Sequence, residues 1–212
     1  MLRRSRCLIL ALALVAAPLA AASHPHVFVD GQVSFLTGSD ERLSAVRIVW
    51  VMDPLYSMLL LAELGLDPVG RPDAAGRALL AGLHAEWIEG FGGGGALRGR
   101  DGTVELGAPR AVEADVVEGR IEIGFERPLD TPLPAGEAAS LLLYDPLYFV
   151  AYTIAEVALE GPANCAVALH PFEPDGALAG LQRQLALLEA DAVVPEPGIG
   201  RLFADRAVLT CD

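Results

Sequence analysis

The chain has 212 residues, a formal net charge of −13, 15 arginines and no lysine. Its length leaves room for one ordinary domain, and no segment after the first thirty residues supplies the roughly 20 apolar residues of a membrane helix. An acidic surface of this size repels nucleic acid and anionic lipid and favours cations as small partners.

Arg3, Arg4 and Arg6 precede an apolar run from Leu8 to Ala17 and a small-residue stretch ending at Ser23. This is the layout of a cleavable signal peptide over residues 1–23, too short to span a bilayer. The expected product, residues 24–212, is a single soluble periplasmic domain. Removing the three leader arginines lowers its charge to −16.

From His26 to Phe35, Val27, Val29, Val33 and Phe35 fall on one face, and His26, Phe28, Asp30, Gln32 and Ser34 on the other. That alternation predicts a half-buried strand. A polar turn at residues 38–42 leads into Leu43 to Met52, rich in β-branched side chains, and the two runs read as a hairpin. Asp53-Pro54 supplies an N-cap and first-turn proline for a leucine-rich helix ending at Gly65. A second helix starts near Asp73, with the stripe Leu79, Leu80, Leu83, Trp87, Ile88 and Phe91. Gly90 to Gly95 reads as a flexible joint, since no Gly-Lys-Ser/Thr follows to make a phosphate loop.

Asp101-Gly102 and Glu118-Gly119 mark tight hairpin turns. Further strands are expected over 140–145, 148–159 with a break, 165–170 and 206–211, with a helix striped by Leu178, Leu181, Leu185 and Leu188 before a linker at 195–200. Strands and helices come in blocks, so the expected class is α+β: an antiparallel sheet or β-sandwich with a two-helix insertion and a C-terminal helix. Cys165 and Cys211, the two cysteines of the processed chain, are expected to form one disulfide; a two-cysteine metal site is the lesser alternative.

His24-Pro25-His26 is the sharpest chemical signal. Residues two apart on an extended segment share a face, so both imidazoles can turn to one ion. If processing falls after Ser23, the free amine of His24 joins its own ring nitrogen in a copper-type brace. Cleavage one or two residues earlier allows backbone nitrogens to complete a square-planar Cu(II) or Ni(II) site. Asp30 shares the face of His26 but lies about 13 Å along a straight strand, too far to join it. His84, Asp53 and Asp145 are candidate further ligands. Ordinary structural roles compete: His84 as a core-edge histidine, Asp53 and Asp145 as cap or turn residues ahead of proline. No Gly-x-Ser-x-Gly or His-Glu-x-x-His is present, so hydrolase chemistry has no motif to rest on.

His24-Pro25-His26-Val27-Phe28-Val29-Asp30, Tyr144-Asp145-Pro146-Leu147-Tyr148, Gly161 to Cys165 and Leu202 to Cys211 together resemble the bacterial family named domain of unknown function 1007. The resemblance implies a periplasmic component of an ABC-type transport system, associated with nickel, cobalt or zinc transport. Family members typically carry Trp, then Asp-Glu and an aromatic-Ser pair, where this chain has Trp50, Asp53-Pro54 and Tyr56-Ser57. Leu66 to Asp73 keeps too few oxygens for the calcium-loop-like stretch of many members.

The expected function is therefore a periplasmic accessory or binding protein for a divalent transition metal (Ni, Co, Zn or Cu), working with a membrane transporter subunit. The alternatives are a histidine-brace copper oxidoreductase, with His84 or His170 brought close by folding, and a metal-free periplasmic interaction domain.

Overall fold

The computed structural model describes residues 24–87, 92–188, 192, 194 and 196–211. The expected signal peptide, Ile88 and Phe91 of the second helical stripe, Gly90 of the glycine joint and Pro195 lie outside the described residues.

Two five-stranded sheets form the body. The first has the order β5-β6-β2-β1-β8, from β1 (Val27–Thr37), β2 (Leu43–Met52), β5 (Arg110–Val117), β6 (Arg120–Leu133) and β8 (Val150–Glu160). The second runs β4-β3-β7-β10-β9, from β3 (Gly95–Gly99), β4 (Gly102–Val104), β7 (Ala139–Leu143), β9 (Cys165–His170) and β10 (Arg206–Cys211). The inward residues of both build one core: Val33, Phe35 and Ile48 meet Ile123, Phe125, Leu97, Leu141 and Leu209. Among the described residues the helices are α1 (Pro54–Glu63), α2 (Ala74–Gly82) and α3 (Gly176–Leu185), which confirms the α+β class.

The expected hairpins are present. β1 pairs antiparallel with β2 (Val29 opposite Met52), and β5 joins β6 through Glu118 and Gly119, whose φ of 52° and 76° suit a tight primed turn. The β3–β4 turn residues are Arg100 and Asp101, with Gly102 paired to Gly99. Cys165 and Cys211 face each other in register on β9 and β10 and are bonded. Closing the intervening 46-residue separation contributes about 4 kcal/mol by the chain-entropy argument.

Three features differ from expectation. First, β8 runs parallel to β1, with Val27 opposite Val150, so the first sheet is mixed. The two strands therefore start at the same end, which sets the segment before β1 beside the turn before β8. Second, α2 stops at Gly82 and Trp87 is not helical. The indole ring instead stacks on Trp50 (6.2 Å, 18°) and meets Phe125 edge-on, burying its apolar area against the core rather than along a helix. Third, the stretch read as a linker carries a 3₁₀ turn, Ile199–Phe203, whose Ile199 and Phe203 are buried with Tyr148, Leu185 and Val194 in a small second core beneath α3.

Candidate functional site

The tetrapeptide Asp-Pro-Leu-Tyr occurs at Asp53 and at Asp145, and both aspartates bind backbone amides. Asp53 caps α1 through the amide of Tyr56 (2.9 Å), while its second oxygen accepts the amide of Phe28 (3.0 Å). Asp145 accepts from Leu147 (3.1 Å), Phe149 (2.7 Å) and Val150 (3.1 Å). Gly200 packs so closely on this turn that a Cβ there would lie 1.9 Å from the Asp145 carbonyl oxygen, a site only glycine fills. The carbonyl of Phe149 in turn accepts the amide of His26 at 2.8 Å. The chain at residues 26–28 is thus held between the two aspartate turns.

This arrangement brings the histidine pair together. The rings of His24 and His26 have centroids 4.9 Å apart at 77°, and both contact Phe149: His24 edge-on at 4.5 Å, His26 stacked at 5.7 Å. His26 is exposed, whereas His24 is only 2% exposed and its Nε2 donates to the carbonyl of Ala192 at 2.9 Å. A proton on Nε2 leaves the ring lone pair on Nδ1. The pair is therefore packed into the fold rather than frayed.

The other sequence-derived candidates stand elsewhere. His84 lies edge-on to Trp50 at 6.0 Å, with its Nε2 buried and without a hydrogen-bond partner among the described residues, and burial lowers its pKa. Asp30, excluded as a partner of His26 by distance along the strand, pairs with Arg120 at 2.8 Å. Among the described residues no group of three or more His, Cys, Asp or Glu is arranged to hold a metal, so His24, His26, His84, Asp53 and Asp145 do not converge on one ion.

Two buried polar residues escaped the sequence reading. Arg127, 7% exposed, donates to the carbonyls of Gly92 (2.7 Å), Leu106 (2.6 Å) and Gly107, and its guanidinium lies 4.9 Å from the centre of the Trp87 ring. Burial lowers its pKa, opposed by Asp130 and Glu105. The available signal was parity: Arg127 shares the inward face with Ile121, Ile123, Phe125 and Leu129. Asp205, 6% exposed, accepts the amides of Ile154 and Phe172, both at 2.7 Å, tying β8 to the end of β9. Beside it Tyr152 is half-buried, and that burial, with the charge of Asp145, raises its pKa far above the ordinary phenol range.

No helix among the described residues is long and apolar enough to cross a membrane. A family model described as "Protein of unknown function (DUF1007)" matches residues 9–211, nearly the whole chain. A comparison with curated proteins finds no match.

Proposed function

The chain belongs to the DUF1007 family, and from that premise and its paired imidazoles we propose that it is an exported accessory protein that captures a divalent transition metal for a membrane transporter. The observation that carries this reading is the 4.9 Å separation of the His24 and His26 rings. A metal–nitrogen bond of about 2.1 Å puts the ion about 3.2 Å from each ring centre, so two imidazoles sharing one ion at tetrahedral or square-planar angles have centres about 4.5–5.2 Å apart.

The bond from His24 to the Ala192 carbonyl gives further support, because a ligating histidine ordinarily donates its other ring N–H to a carbonyl or carboxylate, which fixes tautomer and orientation. Exposed His26 offers the first contact for an incoming ion. The remaining coordination positions go to the terminal amine or backbone nitrogens, according to where the leader is removed, or to water. Nickel, cobalt, zinc and copper all suit such nitrogen donors. Leu55, Met58 and Leu59 form an exposed apolar stripe along α1, which supports docking on a partner subunit.

Elemental analysis of protein purified from the periplasm, followed by calorimetric titration with Ni(II), Cu(II) and Zn(II), tests the reading. His26→Ala should weaken the tightest binding at least tenfold while the protein stays folded. Equal affinity in wild type and variant would overturn the assignment, and absence of binding by either would favour a metal-free interaction domain.

A further inference from the structure

A cavity of about 360 Å³ opens where β7 ends, β8 begins and α3 crosses, at the lower end of the size range of small-molecule sites. Its polar lining comes from Tyr144, Asp145, Tyr152, Gln182 and Asp205, and its walls include Tyr148, Phe172 and Phe203. We propose that this cavity binds a small organic ammonium ion through the Tyr152 hydroxyl, the aromatic walls and the field of Asp145 and Asp205.

Charge is the first argument. Asp145 and Asp205 are held by backbone amides alone, and among the described residues neither forms an ion pair. Among the described residues no arginine or histidine lines the cavity, and the chain has no lysine, so the two carboxylates stand there without a cationic side chain. Amide donors hold the carboxylates without cancelling their charge, so the cavity keeps a negative field that favours a positive ligand.

Shape and chemistry then choose among cations. Tyr148 and Phe203 pack at 4.6 Å and Phe172 meets Phe203 edge-on at 5.7 Å, and all three line the cavity, so an aromatic wall borders the space a cation would occupy. Tyr152 lines the cavity and its side chain makes no hydrogen bond among the described residues, so its hydroxyl is available as an acceptor for an ammonium N–H. A metal ion is the poorer fit, because among the described residues no imidazole or thiolate lines the cavity and the carboxylate oxygens already accept amides. The proposal stands independently of the histidine pair.

The test is titration of the full processed protein with phenethylammonium and butylammonium chloride against 2-phenylethanol and butanol, by calorimetry and by amide chemical shifts. The expected result is saturable binding of at least one ammonium ion, about tenfold or more tighter than its alcohol, with shifts concentrated at residues 144–154 and 205. Tyr152→Phe, which keeps the ring, should weaken that binding about tenfold through loss of a charge-assisted hydrogen bond. If the variant fails to fold, the ammonium-to-alcohol ratio and the wild-type shift map still decide. No saturable ammonium binding, equal binding of the alcohols, shifts centred on His24 and His26, or an unchanged affinity in folded Tyr152→Phe would each overturn the proposal.

Discussion

His24 and Ala192 stand 168 residues apart in the chain, yet Nε2 of the imidazole donates to the Ala192 carbonyl at 2.9 Å. The segment before β1 is thereby fastened to the segment that follows α3. A residue at a frayed terminus would cost nothing to remove, but this one is buried against Phe149. His24→Ala should therefore destabilise the metal-free protein by about 1–2 kcal/mol, through the lost hydrogen bond and the unsatisfied carbonyl it leaves. His26→Ala, at an exposed ring, should cost less than about 0.5 kcal/mol. Urea denaturation of the two variants separates them, and equal losses would contradict the geometry.

His84 provides a pH signature. Burial holds its folded-state pKa below that of the unfolded chain, so the unfolded state binds the extra proton as pH falls through the ordinary histidine range near 6.5. Its contribution to stability is present above that range and is lost as pH drops toward the folded-state value. The melting temperature should fall between pH 7 and pH 5, and His84→Leu should flatten that part of the profile. An unchanged slope in the variant would place the dependence on other groups.

Arg127 should rank among the costliest single changes. Arg127→Met preserves much of the stem but leaves the carbonyls of Gly92, Leu106 and Gly107 without their donor, at roughly 2–4 kcal/mol. Gly93 packs against Trp87, where a Cβ would fall 2.2 Å from the indole, so the loosening should spread to that loop. Faster amide exchange at residues 92–95 and 106–107, alongside the lower denaturation midpoint, is the expected result.

For the disulfide, no thiol should be labelled under denaturing, non-reducing conditions, and reduction should cost at most about 4 kcal/mol, since residual structure in the unfolded chain diminishes the entropic gain. Two reactive thiols in the unreduced protein would contradict the bonded pair.

Local pattern made much of the fold legible. Alternation in Val29, Val33 and Phe35 marked the inward face of β1, Asp53-Pro54 marked the start of α1, and Glu118-Gly119 marked a turn, because each depends on backbone geometry within a few residues. The same locality explains why Asp53 and Asp145 were recognisable as capping or turn residues. Trp87 was misread because helical spacing describes a periodic possibility, whereas the place of a large aromatic is decided by the partners that bury it, here Trp50 and Phe125.

What the sequence by itself determined, then, is the class of elements, the histidine pair as the clustered imidazoles, and the cysteine pairing left by elimination. Only the tertiary structure decided that β1 and β8 start side by side, because a parallel pairing between strands more than a hundred residues apart leaves no local mark. That pairing sets His24 and His26 against Phe149 and gathers Asp145, Tyr152 and Asp205 around one cavity, while His84 packs on Trp50 away from both. Proximity across the fold follows from the burial of two sheets into one core, and burial is a property of the whole chain rather than of any window along it.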